Sequence, residues 1–434
     1  MVEIKPFQGL RYSESVVVDP GRVICPPYDV ISPDEQRELL GRSIYNAINL
    51  ELPVATEENQ YGQAQKKLKQ WLEEGVLQAD EEPALYLVAH TFLHRGKRVT
   101  RTELTARVRL EDFSSGIIKP HEHTEEGPIE KRIGLLRTCQ INVSPVMGLY
   151  EDPYGTIPRL LARVQLQPAG LSFTVPGEES YDVWMIMGEE DIDSICSAFA
   201  PLSLYIADGH HRYAAALRYR DGSRTTSGSP TANEPYEFIM MSLTDLKDQG
   251  LLALPYHRAL RGLPPGSVSG LKKGLEGFFK LETAPLEQRT VEPLFEPAAS
   301  SRREQVLMAV VGLEEGKLVS LKPKAKDVLD RLMAVEYSEV WRSLPPSIFR
   351  EGILRSLLGL EEEEAIAAGQ LTFVKDAAEA VALVSRGECQ LAFLLRPVPL
   401  TGLKRVADNG ELLPPKSTYF YPKLPTGLVF YNLA

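Results

Sequence analysis

Two apolar runs anchor the reading of this chain. Residues 202–207 and 237–243 are stretches of strand length that read as strands buried on both faces. Residues 84–93 and 99–110 flank Arg95-Gly96-Lys97 and predict a hairpin. Helical signals fall between these runs. Ser32-Pro33-Asp34-Glu35 has the order of a capping box with proline at the first helical position, so a helix should run to about Gly41. The spacing over 56–74 predicts a helix with Leu68, Trp71 and Leu72 on its inner side and Gly75 ending it. Further helices are expected over 128–138, 157–166 and 189–198, with a short strand over 146–150. An Ala-rich helix begins near Tyr213, and residues 223–234, rich in Ser, Thr, Gly and Pro, read as a mobile surface loop.

This alternation gives an α/β (α+β) fold class. Leu263-Pro-Pro-Gly-Ser267 is the best linker in the chain. It sets a motif-bearing region over 1–265 and a smaller α+β C-terminal domain over 266–434. The 413–423 tail carries three adjacent aromatics, Tyr419, Phe420 and Tyr421, and is expected to dock rather than stay disordered.

Composition narrows the function classes. At 434 residues, with 43% hydrophobic and 25% charged positions, the chain can build more than one core. A net charge of -11 argues against a broad DNA-, RNA- or membrane-binding face, while leaving room for a local basic pocket. No apolar run reaches the length of a membrane span, and the N-terminus has no signal pattern, so the expected location is cytoplasmic. Four scattered cysteines form no CxxC pair and read as neither a disulfide framework nor a zinc knuckle.

The chemistry concentrates where the 202–207 strand feeds the Ala-rich helix. Asp208, Gly209, His210, His211 and Arg212 stand at that junction, where free backbone N–H groups and the helix dipole favour an anion. A tight turn capped by Asp208 accounts for Asp208 and Gly209, but not for the His-His-Arg that follows. A second polar loop holds His121, Glu122, His123 and Thr124, with Lys131 and Arg132 one turn into the next helix. It could serve a phosphate or a divalent metal, with Glu122 as general base, or be a solvated acidic loop. Tyr28 and Asp29 follow two stiffening prolines, a rigid arrangement that serves packing as well as substrate binding. His257 and Arg258 follow an apolar stretch, where such a pair is usually structural or on the surface. In the tail Lys416, Ser417 and Lys423 supply anion-binding groups. P-loop, kinase Asp-Phe-Gly, Gly-x-Gly-x-x-Gly, Gly-x-Ser-x-Gly and His-Glu-x-x-His signatures are all missing.

Five of these segments, in this order, resemble the prokaryotic family known as domain of unknown function 1015. They are Cys25-Pro-Pro-Tyr-Asp-Val-Ile31, Pro120-His-Glu-x-Thr124, Ala207-Asp-Gly-His-His-Arg212, Pro255-x-His-Arg258 and Pro414-Pro-Lys-Ser-Thr-Tyr-Phe-x-Pro-Lys423. The resemblance covers nearly the full length. A shorter one joins Asp208-Gly-His-His-Arg212 to the phosphate-binding signature of the ParB and sulfiredoxin superfamily, which includes free-serine kinases. It implies a ParB/sulfiredoxin-like mixed sheet in the N-terminal region. Partition proteins add a DNA-binding module that has no counterpart here, and sulfiredoxins carry a cysteine where this chain has His210. Both departures favour the kinase branch. The resemblance implies a phosphotransferase moving a phosphoryl group from a nucleotide, ATP or ADP, to the hydroxyl of a small metabolite such as serine. Asp208 or Glu122 would act as base or hold Mg²⁺, and His121, Lys131, Arg132 and Lys416 would meet remaining phosphate charge. A nucleotide-binding regulatory protein and a phosphatase are the alternatives. Oligomeric state is not legible.

Overall fold

The computed structural model describes residues 1–54, 60–177, 179–226, 231–287, 306–324 and 336–434, together with 291, 328 and 330–333. The chain divides into two compact units: Met1–Pro120, Thr124–Leu252 and Pro422–Ala434 in the first, His121–His123 and Ala253–Tyr421 in the second.

The first unit is built on a mixed sheet. Its strands run in the order Ile118–Lys119, Leu204–Asp208, Val146–Tyr150, Phe238–Asp245, Lys97–Arg109, Leu85–His94, Glu179–Ile186 and Leu171–Val175, with Ile4–Lys5 pairing beside Lys97–Arg109. Leu85–His94 and Lys97–Arg109 form the expected hairpin, turning through Arg95 and Gly96, both at positive φ. Phe238–Asp245 is buried along its whole length, as a strand covered on both faces should be. It runs parallel to Val146–Tyr150, which is antiparallel to Leu204–Asp208. One core packs Leu85, Leu87, Leu104 and Val108 with Ile206, Phe199 and Tyr213. Another joins Phe7, Tyr86, Phe238 and Met240 to Ile129 and Ile133.

A smaller antiparallel sheet orders Leu77–Ala79, Gly9–Tyr12, Phe430–Asn432 and Ile141–Asn142, so the C-terminal end of the chain pairs with its N-terminal end. Its core holds Trp71, Leu68, Ile48 and Phe430. The helix Gln60–Glu73 supplies Leu68 and Trp71, but Leu72 is 42% exposed and belongs to the solvent side. The expected start of this helix at Thr56 lies outside the described residues. Helix Pro33–Arg42 has its capping box complete, with Ser32 Oγ accepting from the Glu35 N–H and the Glu35 carboxylate accepting from the Ser32 N–H.

The second unit is an α+β structure on an antiparallel sheet, ordered Phe279–Pro285, Lys317–Pro323, Met308–Val311, Leu391–Leu395, His257–Leu260 and Leu371–Val374. The helix Ser267–Phe278 precedes its first strand in this order. The α/β class read from the sequence is the class observed: a large mixed sheet with helices, and further smaller sheets. Among the described residues no helix is long and apolar enough to cross a membrane.

Candidate functional site

Strand Leu204–Asp208 loses its register with Val146–Tyr150 between Ile206 and Asp208, a bulge that re-aims the chain at the strand's end. Gly209 then takes φ +88, a conformation a side chain resists, and the helix His210–Thr226 begins. A Cβ at Gly209 would stand 3.0 Å from Arg212 Nε. The helix continues through Thr226, so the loop expected from Ser223 starts later than read; residues 227–230 lie outside the described set.

Arg212, one turn into the helix, is buried and reaches back to the junction. Its Nη2 donates to Asp208 Oδ2 at 2.7 Å and its Nη1 to the Pro145 carbonyl. Lys423, from the chain's last segment, donates to the other Asp208 oxygen. Burial opposes ionisation of Asp208, but Lys423 and Arg212, with His210, outweigh it and hold the carboxyl well below the usual carboxylate range. Burial likewise disfavours the Arg212 charge, and Asp208, Asp29 and Glu51 more than compensate. His210 is buried at the helix start, while His211 Nε2 accepts the Glu125 N–H at 3.0 Å. That tautomer leaves Nε2 of His211 unable to donate to a phosphate.

A second ion pair adjoins the first. Glu51 ends the short helix Ile48–Glu51, which Asn46 fixes by accepting the Ile48 N–H and donating to the carbonyls of Arg22 and Ile24. Glu51 is 1% exposed; its carboxylate accepts from the Tyr28 N–H at 3.1 Å and from Ser144 Oγ at 3.2 Å, and lies 3.5 Å from Arg132 Nη1. The Arg132 guanidinium sits 3.6 Å from the centroid of the Tyr28 ring. Arg132, Arg212, Glu51, Ser144 and Asn142 line one cavity of about 30 Å³, together with apolar side chains that include Leu135 and Ile239. The Nε of Arg132 and that of Arg212 are both buried without a hydrogen-bond partner.

Of the residues singled out from sequence, the structure therefore gathers Tyr28, Arg132, Asp208, Arg212 and Lys423 in one cluster of the first unit, with Gly209 and His210 at its turn. Asp29 is exposed, and its charge favours the charged form of Arg212. Lys131 and Thr124 are exposed; Lys131 neighbours Arg132 in sequence but not in burial. Glu51 and Ser144 were missed.

The remaining candidates lie in the second unit. The Leu413 N–H donates to the His121 carbonyl, and Glu122 and Leu413 form an isolated parallel bridge. His121 Nε2 lies 3.0 Å from Thr418 Oγ1, and Glu122 Oε1 accepts the Lys416 N–H at 3.3 Å. His123 is exposed. Ser417 is buried and donates to the Pro414 carbonyl, while the Lys416 side chain is exposed. Leu413 and Phe420 are buried, so the tail is packed along this stretch, and from Pro422 onward it belongs to the first unit. His257 Nδ1 accepts the Leu395 N–H, and burial, with help from Arg258, lowers its pKa to about 4. Arg258 is wholly buried, donating to the carbonyls of Tyr256 and Pro415 and lying over Phe373. These two are built into the sheet and its neighbouring chain.

The chain belongs to the family described as Protein of unknown function (DUF1015), whose model matches residues 4–347. No curated protein matches it. Among solved structures it is similar to a conserved hypothetical protein from Pyrococcus furiosus, at 15% identity and TM-score 0.34, covering 75% of this chain and 94% of that one. It is similar to a free serine kinase in complex with AMP, at 16% identity and TM-score 0.34, covering 76% and 90%. A C-terminally truncated SbnI from Staphylococcus aureus gives 10% identity, TM-score 0.36, and 75% and 86% coverage.

Proposed function

We propose that the cluster around Asp208–Arg212 binds the phosphate groups of a nucleotide, ATP or ADP, and that the protein is a phosphotransferase acting on the hydroxyl of a small metabolite such as free serine. The observation that carries this reading is the buried guanidinium pair. Arg132 and Arg212 line one cavity beside a strand-to-helix turn, and each has an Nε–H without an acceptor. A buried donor left unpaired costs about 1–3 kcal/mol, a penalty that phosphoryl oxygens would relieve. At about 30 Å³ the cavity admits roughly two oxygen-sized atoms, so the rest of the nucleotide would lie outside it. Lys423 and the first N–H groups of the helix add to the positive side. Phosphoryl transfer asks chiefly for such positioning and charge neutralisation.

In this reading Asp208 is an organiser of cations. A carboxylate held so firmly ionised is a poor proton acceptor, which removes it as the preferred base. Its two oxygens are taken by Lys423 and Arg212, and among the described residues no three His, Cys, Asp or Glu gather as a metal site. With both oxygens so engaged, Asp208 does not offer a Mg²⁺ ligand. Glu51 is the carboxylate that meets a hydroxyl in this cluster: it accepts from Ser144 Oγ at 3.2 Å, and its contact with Arg132 is 3.5 Å against 2.7 Å for Asp208 with Arg212. Glu122→Gln tests the other carboxylate that the sequence singled out.

Titration calorimetry with ADP tests the anion site. The intact protein should bind, and Arg212→Met should weaken binding at least about tenfold, the scale of one charge-assisted hydrogen bond. Equal affinity in the two proteins would refute it.

A further inference from the structure

A buried ionic cluster lies in the first unit's sheet, and the proposed phosphate site makes no direct use of it. Arg101 and His90 are fully buried and Glu103 is 2% exposed. Arg101 Nε donates to Glu103 Oε1 at 2.7 Å, His90 Nδ1 lies 3.8 Å from the same oxygen, and His90 Nε2 lies 2.9 Å from Glu179. Burial opposes ionisation of Glu103, but Arg101 and His90 outweigh it and lower its pKa. Ser242 Oγ donates to Glu103 Oε2 at 3.4 Å and accepts from Thr105 Oγ1 at 3.1 Å. Ion pairs this deep cost desolvation, so a strand pair carrying one is weak evidence for stability as its purpose.

The second bond of Arg101 shows what the cluster touches. Its Nη1 donates to the Pro422 carbonyl at 2.8 Å, and the next residue is Lys423, whose ammonium sits on Asp208. Three residues further on, Thr426 and Cys25 exchange backbone hydrogen bonds at 3.1 and 2.7 Å. The segment bearing Lys423 is thus pinned at both ends, and its upstream pin is a charged side chain.

We propose that Arg101 is a positioning residue for Lys423: clamped by Glu103, its guanidinium holds the Pro422 carbonyl and so places the Lys423 ammonium on Asp208. The functional consequence rests on the anion-site reading above; the geometry does not. Arg is suited to this task because its planar fork engages the carboxylate and the carbonyl at once, which an ammonium does less well.

The test is the acetylation rate of individual lysines of the full chain, followed by mass spectrometry. Lys272, ion-paired with Glu314 at 2.9 Å in the second unit, is the internal reference. Arg101→Met should raise the Lys423 rate about tenfold, the scale of losing one charge-assisted hydrogen bond, and leave Lys272 unchanged. Arg101→Lys should restore part of the protection, and ADP affinity should fall in the same order. An unchanged Lys423 rate, or an equal rise at Lys272, would overturn the proposal. If Arg101→Met does not fold, Glu103→Gln carries the test, with the same rise at Lys423 required. If the intact protein binds no ADP, the anion-site reading falls while the lysine rates still decide the role of Arg101.

Discussion

Replacing Lys423 with Met removes one of the two cations on a carboxylate that is only 17% exposed. The Lys423 side chain is itself 9% exposed, so solvent screens the pair weakly. Removing one partner of a buried ion pair costs about 3–5 kcal/mol. Arg212 still holds the second oxygen at 2.7 Å, which places the expected loss at the lower end, about 3 kcal/mol at pH 7. The sign with pH follows from the depressed pKa of Asp208. The unfolded carboxyl titrates near 3.9, so the stabilisation is fully present above that pH and drains away as pH falls through the lower folded value. Lys423→Met should therefore narrow its gap to the wild type on acidification. Urea unfolding at pH 7 and at successive steps toward pH 3 is the assay. A loss at pH 7 below about 0.5 kcal/mol, the scale of an exposed pair, with an unchanged acid slope, would refute the reasoning.

Three further outcomes are expected. Gly209→Ala should cost about 1–2 kcal/mol in urea unfolding and weaken ADP binding, because φ +88 resists a Cβ and that Cβ would press on Arg212; unchanged stability would mean the turn relaxes. Trp71→Ala should cost about 3–5 kcal/mol while Leu72→Ser, on the exposed side of the same helix, should change stability by less than about 0.5 kcal/mol. His257 is held neutral to about pH 4 against an ordinary 6.5, so between those values the unfolded state takes up the proton first and stability falls with pH by about 3 kcal/mol. His257→Gln should flatten that stretch of the stability profile, and an unaltered profile would show that the histidine protonates without unfolding.

What could be read from the chain was local. The hairpin over 85–109, the capping box at Ser32 and the strand Val146–Tyr150 each depend on neighbouring residues, and each formed where its pattern lay. The Asp208–Arg212 junction was visible for the same reason, since the glycine and helix start that shape it are contiguous. Glu51 was invisible. Its burial is supported by Arg132 and Ser144, far along the chain, and one acidic residue closing a short helix carries no mark of that. The inner face of Gln60–Glu73 was legible at Leu68 and Trp71 but too wide at Leu72, because apolar identity alone does not fix the edge of a buried stripe. His257 and Arg258 read as a structural or surface pair, and they are held by sheet backbone and aromatic rings. The tail looked like one segment, yet Tyr419 and Lys423 fall in different units, a division set by tertiary packing.

Phosphorus NMR of the protein with ATP or ADP, Mg²⁺ and an amino-acid mixture, beside Arg212→Met, tests the central claim most directly. A new phosphomonoester signal, present with the intact protein and at least tenfold weaker with the variant, is the expected result. Free phosphate alone would make the protein a hydrolase using the same cradle. Bound nucleotide without turnover would make it a regulatory binder. A phosphomonoester formed equally by both proteins would contradict the assignment of the Asp208–Arg212 cluster as the site of transfer.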